Sequence, residues 1–201
     1  QVRQGDIRKM DWESLLDELS GMREVGVGSR EGGRAKLVSN PPYYLSSPLL
    51  YDIIRHRGLW ERVALTLQLE VAQRVAALPG EEGYGALSVL VRTYFEPRVV
   101  FRVSRRAFFP PPEVDSAVLC LVVRRAPLVR VDQAAFTKVV KAAFRHRRKT
   151  AANALREALG LGRDVLEPCF SLAGVDPAAR PDELGPAEFG ALAEVLGPYL
   201  R

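Results

Sequence analysis

Between Lys36 and Val123, short apolar stretches alternate between strand and helix character, and proline or glycine punctuates most of them. Lys36–Ser39 reads as a strand stopped by Pro41-Pro42, since two prolines in succession cannot continue a ladder. Ser47–His56 reads as a helix with Pro48 at its first position, Val63–Leu67 as a strand, and Glu70–Leu78 as a helix closed by Pro79-Gly80. Upstream, Asp11 caps a helix over Asp11–Leu19, and Gln1–Gly5 reads as the end of a strand. Leu87–Phe95, Val99–Val103 and Ser116–Val123 then follow as three strand-like runs close together. Strands alternating with helices predict an α/β sheet, and the late cluster of strands predicts an antiparallel edge. After Pro127 the pattern becomes helical, with Phe136–Leu159 and a proline-opened helix over Pro186–Leu196. The expected division is an α/β part over residues 1–127 and a small all-helical part over 128–201.

Composition narrows the function. Hydrophobic residues make up 47% and charged residues 26%, so the chain can bury a core and is not a disordered polyampholyte. No run approaches the ~18 apolar residues of a membrane span, and the first residues hold no signal-like apolar core, so the reading is no membrane and a cytoplasmic location. Cys120 and Cys169 are far apart, which predicts neither a disulfide framework nor a metal. The GVG at 26–28 lacks the flanking strand and helix of a nucleotide fingerprint. The net charge of +5 is unevenly spread: Arg98–Arg163 carries 15 basic and 4 acidic residues, and the remainder 14 and 20. A basic segment in an otherwise acidic chain points to a polyanion, most often a nucleic acid.

Three groups of residues carry candidate chemistry. Asn40-Pro41-Pro42-Tyr43 sits where a strand ends, the usual place for a ligand in an open α/β sheet. Proline has no N–H, so the turn offers the Asn40 amide oxygen and a free backbone carbonyl as two acceptors, which suits an exocyclic amino group. Tyr43 adds a flat face for a base. In Phe108-Phe109-Pro110-Pro111-Pro112, Phe109 is expected to be buried, while Asp115 and Ser116 are expected to brace the loop through hydrogen bonds. On a wheel of 100° per residue, Lys138, Lys141, Arg145, Arg148 and Lys149 share one face opposite Phe136, Val139, Val140 and Phe144. Arg147 falls on the apolar side, so a break is expected near His146. No acid occurs from Gln133 to Asn153, which predicts contacts to nucleic-acid phosphates along this stripe. His56 reads as a surface residue.

KLVSNPPYYLSSPLL (36–50), LTLQLEVAQRVAALPGEEGYGALSVLV (65–91), AFFPPPEVDSAVLCLVV (107–123) and AAFRHRRKTAANAL (142–155) follow one another as in a known family. Together with GDI at 5–7, they resemble the ribosomal RNA adenine N6-dimethyltransferases of the KsgA type. The resemblance implies the C-terminal part of a Rossmann-like S-adenosylmethionine methyltransferase domain and a small helical domain. It implies S-adenosyl-L-methionine as cofactor and, as partner, the rRNA of the pre-30S small subunit, methylated on two adjacent adenosines near its 3′ end. By matching position, Asp6 would accept from the cofactor's adenine, Asn40 and the Pro41 carbonyl would hold the target amino group, with Asn40 also bordering the cofactor, and Tyr43 and Phe108 would sandwich the base. The basic residues Lys138, Lys141, Arg145, Arg147, Arg148 and Lys149 would meet RNA.

Two departures accompany the resemblance. The family usually has Leu or Ile where Pro41 stands, which leaves open whether one methyl is added or two. The family's glycine-rich cofactor loop lies upstream of GDI and is not in this sequence, so the chain is expected to be a fragment, inactive alone. Two other functions compete: a large-subunit rRNA methyltransferase of the macrolide-resistance type, and a non-enzymatic RNA-binding assembly factor. VDSA at 114–117 and RRKT at 147–150 favour the small-subunit branch.

Overall fold

The computed structural model describes residues 4–21, 34–146 and 148–200. The glycines expected to form a loop at 26–33, Gln1–Arg3 of the expected first strand, and Arg147 lie outside the described residues. The elements in chain order are α1 (Trp12–Gly21), β1 (Ala35–Ser39), α2 (Ser46–Arg55), β2 (Trp60–Gln68), α3 (Leu69–Ala76), α4 (Ala86–Tyr94), β3 (Phe95–Val103), β4 (Ser116–Val123), α5 (Gln133–Ala143), α6 (Ala151–Leu159), α7 (Arg163–Ala173) and α8 (Pro186–Leu196). They divide into two compact units, 4–72 with 96–124 and 73–95 with 125–200. The expected boundary at 127/128 lies three residues from the third crossing, at 124/125, whereas residues 73–95 group with the C-terminal helices.

The first unit is built on a four-stranded sheet of order β1-β2-β4-β3. β1 pairs with β2 in parallel, which requires a crossover, and α2 supplies it. β2 pairs with β4 antiparallel from Arg62↔Val122 to Gln68↔Ser116, as the clustered late strands predicted. Period-two alternation buries Val63, Leu65 and Leu67 of β2 and Ala117, Leu119 and Leu121 of β4. α2 buries Leu49, Leu50, Ile53 and Ile54, one helical stripe. At the start of α1 the Asp11 carboxylate accepts from the Ser14 N–H at 3.1 Å, the expected cap. Trp12 then meets Trp60 edge-on, with centroids 5.2 Å apart, and donates its indole N–H to Asp52.

The second unit is helical. Its core includes Leu90, Phe136, Val140, Leu155, Phe170 and Phe189, all at most 1% exposed. The α8 backbone passes so close to Val129 that a Cβ at Gly190 would lie 2.5 Å from Val129 Cγ1, so only glycine fits there. Burial pushes the Tyr84 hydroxyl well above the usual phenol range, and that hydroxyl donates to the Leu184 carbonyl at 3.0 Å.

Three expectations are corrected. Leu87–Phe95 is not a strand: Ala86–Tyr94 forms α4, because a short, mostly apolar run fits a buried helix as well as a buried strand. Hydrogen bonds within the run and to the end of α3 hold the helix here. The Gly85 N–H donates to Ser88 Oγ at 3.0 Å, Thr93 Oγ1 donates back to the Val89 carbonyl at 2.8 Å, and Arg92 donates to the Ala76 and Ala77 carbonyls at the end of α3. α7 carries no clear helix signal in the sequence, since Pro168 inside it breaks the pattern. Its ends are set by glycines: Gly162 precedes it and Gly174 follows in the left-handed region at φ 65°. Finally, the basic residues do not share one helix. α5 ends at Ala143 and the Thr150 hydroxyl caps α6 through the Asn153 N–H, so Arg145, Arg148 and Lys149 lie on the connection.

Candidate active site

Sheet topology decides which loops meet. β1 and β2 run the same way and β4 runs back, so the end of β1 and the start of β4 lie at the same end of the sheet. The turn after Ser39 and the loop before Ser116 therefore emerge together. The first carries Asn40, Pro41 and Tyr43, and the second carries Phe108.

The turn is stiff. Pro42 is extended, at φ −53° and ψ 138°, and its carbonyl accepts from the Leu45 N–H at 2.9 Å. The Tyr43 carbonyl accepts from Ser46 Oγ at 2.7 Å, and α2 starts there, with Pro48 as its third residue, still in the turn that needs no N–H partner. The free carbonyl the sequence suggested is thus that of Pro41, not Pro42. Among the described residues neither the Asn40 side chain nor the Pro41 carbonyl makes a hydrogen bond, and Asn40 is exposed while Pro41 is buried. Two oxygens on adjacent residues are thus left unspent on a rigid turn.

Tyr43 is half-buried, and its hydroxyl lies 2.8 Å from Ser116 Oγ, where Ser116 is fully buried at the first position of β4. This contact joins the two loops and fixes where the tyrosine hydroxyl sits. Sequence reasoning had given Ser116 only a general bracing part; its link to Tyr43 spans 73 residues and no local pattern signals it. Asp115 braces the loop as expected: its carboxylate accepts from the Arg105 N–H at 2.9 Å and its carbonyl from the Leu69 N–H at 2.9 Å. Phe108 is half-buried in extended backbone, φ −112° and ψ 152°. Phe109 is 100% exposed, not buried as expected. Successive side chains of an extended segment point to opposite sides, so burying one phenylalanine expels the other.

Because the Ser116–Tyr43 contact holds the tyrosine side chain in place, Ser116→Ala, Tyr43→Phe and the double variant of the full-length enzyme should each lose up to about tenfold in turnover. The double variant should be no slower than the singles, because one interaction is lost in all three. Single-turnover methyl transfer measures this, and additive losses would mean that the two residues act separately.

Asp6 is half-buried at the head of a tight turn, with its carbonyl accepting from the Lys9 N–H at 2.9 Å. The next residue, Ile7, lines a cavity of ≈ 220 Å³ with Leu45, Pro48, Leu49, Tyr51, Asp52 and Arg55 of α2 and the turn before it. Burial pushes the Tyr51 hydroxyl up. The volume is below the ~300 Å³ at which whole-ligand sites begin, so it suits one ring of a larger molecule. His56 is half-buried, not surface, with Nδ1 3.0 Å from the Asp52 carbonyl. No group of His, Cys, Asp and Glu among the described residues could hold a metal ion. None of the described helices is long and apolar enough to cross a membrane.

In the helical unit, Lys138 Nζ donates to the Leu200 carbonyl at 2.8 Å, and Lys141, Arg145 and Arg148 are exposed. Lys149 pairs with Glu157 of α6, and His146 Nε2 lies 3.2 Å from the same carboxylate. The hydrogen bond from Lys149 lowers the Glu157 carboxyl below its usual range, with His146 and Arg145 adding to the effect. The stripe is therefore not free of acid: the acid arrives from the next helix, beyond the reach of a single-helix wheel.

A model of the family described as ribosomal RNA adenine dimethylase matches residues 1–195. The chain belongs to this family. Relatives include the ribosomal RNA small subunit methyltransferase A of Syntrophotalea carbinolica, 43% identical over 98% of this chain and 70% of the relative. That of Pelotomaculum thermopropionicum is 42% identical over 96% of this chain and 65% of the relative. The chain thus spans about two thirds of the length of these curated relatives. Among solved structures, a dimethyladenosine transferase from Plasmodium falciparum matches with a TM-score of 0.72 at 22% identity, covering 99% of this chain and 73% of that one. The 23S rRNA methyltransferase ErmE matches with a TM-score of 0.57 at 26% identity, covering 92% and 77%. These likenesses agree with the Rossmann-like methyltransferase fold expected for the sheet.

Proposed function

We propose that the protein uses S-adenosyl-L-methionine to dimethylate N6 of two adjacent adenosines in small-subunit rRNA, acting on the pre-30S particle in the cytoplasm. The observation that carries this reading is the pair of unspent acceptors, Asn40 Oδ1 and the Pro41 carbonyl, at the end of β1 in a member of this family.

An adenine amino group is a poor nucleophile because its lone pair is delocalised into the ring. Two acceptors drawing on its two N–H bonds favour a pyramidal nitrogen with a localised pair. The rigid turn holds both oxygens in place before the base arrives, so little reorganisation is needed. Tyr43, held by Ser116, and Phe108 offer faces to the ring and offset part of the cost of taking the base out of its stack. S-adenosylmethionine supplies, when bound, an electrophilic methyl group. The residues present fit part of it: a carboxylate such as that of Asp6 can accept from an adenine N–H, and the cavity beside Ile7, of ring size, mixes the apolar Leu45, Pro48 and Leu49 with Tyr51, Asp52 and Arg55. Lys138, Lys141, Arg145, Arg147, Arg148 and Lys149 are proposed to meet RNA phosphates.

The test is methylation of isolated small and large ribosomal subunits by the full-length protein, with the modified nucleoside identified by mass spectrometry. Dimethyladenosine in small-subunit rRNA is expected. Modification of large subunits alone would replace this reading by the macrolide-resistance type, and no modification would leave an assembly factor.

Glu157 changes what the basic connection should do. Arg148→Ala is expected to lower the salt slope of log K for rRNA binding by about 0.7–0.9, one phosphate contact. Lys149→Ala should lower it by less, because the Glu157 carboxylate already neutralises that ammonium. Binding titrations across salt concentration measure both slopes.

A further inference from the structure

We infer that the run from Arg98 to Phe109 is a second RNA-contact surface, on the sheet unit, that grips the single-stranded stretch flanking the target base. The inference rests on the reading of RNA as substrate.

β3 is the outermost strand after β4. Alternation places Arg98, Val100 and Arg102 on one face, and all three are exposed. Arg106 follows in the turn after the strand, and no acid occurs from Arg98 to Phe109. Among the described residues, Arg98, Arg102 and Arg106 have no carboxylate partner or other hydrogen bond through their side chains. Val100 is 58%, Phe101 56% and Phe109 100% exposed.

Charges on an outer strand commonly serve to repel other strands. That purpose would be defeated by exposing Val100 on the same face and Phe109 in the loop that follows. Arginines without side-chain partners among the described residues, leading to a bare aromatic ring, are instead the combination that binds single-stranded nucleic acid: guanidinium groups on phosphates and a ring face under a base.

The loop is also organised in advance. Arg105 Nη1 donates to the Glu113 carbonyl at 2.9 Å, its N–H donates to Asp115 Oδ1 at 2.9 Å, and Ser104 Oγ accepts from the Arg106 N–H at 3.3 Å. Phe109 is thus held out from a braced loop, next to Phe108 of the target site. RNA whose target base reaches Phe108 would lay its neighbouring base against Phe109. Arg98, Arg102 and Arg106 would meet phosphates further along.

The test uses the full-length protein and a labelled single-stranded RNA oligonucleotide, with the same sequence as a duplex for comparison. The triple change Arg98→Ala, Arg102→Ala, Arg106→Ala should weaken single-strand binding by tenfold or more and lower its salt slope by about 2, three contacts at roughly 0.7 each. Phe109→Ala should weaken the single strand by about fivefold or more and the duplex little, and Phe109→Trp should restore binding. Melting temperatures should stay near wild type, since every altered side chain is exposed. Wild type that binds RNA, with variants of unchanged slope and affinity, overturns this inference alone. Wild type that binds no RNA overturns it together with the proposed function.

Discussion

Asn40→Ala in the full-length enzyme should lower the rate of methyl transfer by about 10²–10³ while changing rRNA affinity less than twofold. The amide oxygen is proposed to act on the transferring nitrogen and on no phosphate, so its loss should fall on kcat. The side chain is exposed and makes no hydrogen bond among the described residues, so the fold should not register the change. Asn40→Asp is the sharper comparison. It keeps an acceptor of the same size and adds a charge, so it should retain more activity than alanine if acceptance is what matters. Single-turnover transfer and filter binding separate the effects. An alanine variant keeping more than about a tenth of wild-type turnover would remove Asn40 from the proposed site.

Trp60→Ala should destabilise the protein by about 3–5 kcal/mol, the range for deleting a large aromatic from a core. Trp60 is 1% exposed at the start of β2 and meets the edge of Trp12. Trp60→Phe should cost far less, about 1–2 kcal/mol. Among the described residues the buried Trp60 Nε1 has no hydrogen-bond partner, so exchange for phenylalanine forfeits packing but relieves an unsatisfied donor. Trp12 behaves differently, because its indole N–H donates to Asp52. Trp12→Phe would leave that carboxylate short of a partner and should cost more than Trp60→Phe. Urea unfolding of the three variants orders them, and equal losses for the two phenylalanine variants would show that neither indole N–H contributes.

Much of this was readable in advance where the signal is local. Asp11, Pro186 and the Pro41-Pro42 pair mark element ends by their own chemistry, and the structure starts or stops elements beside each of them. The alternation in Ser116–Val123 gave a strand with those bounds. The sequence alone also determined the family, through motifs held in order across nearly the whole chain, and placed two acceptors and a tyrosine in one stiff turn.

What only the tertiary structure decided depends on groups distant along the chain. The apolar run at 86–94 is a helix because its hydrogen-bonding and packing partners favour it, and its composition suits either state. Phe108 and Phe109 are adjacent and chemically identical, and only the surrounding loop chose which one faces solvent. Glu157 reaches Lys149 from another helix, and Ser116 reaches Tyr43 across two strands. Local propensity and periodicity report a residue's own backbone state. They carry no information on which distant side chain fills the space beside it, and that is where the polarity of the basic connection and the orientation of the candidate site were settled.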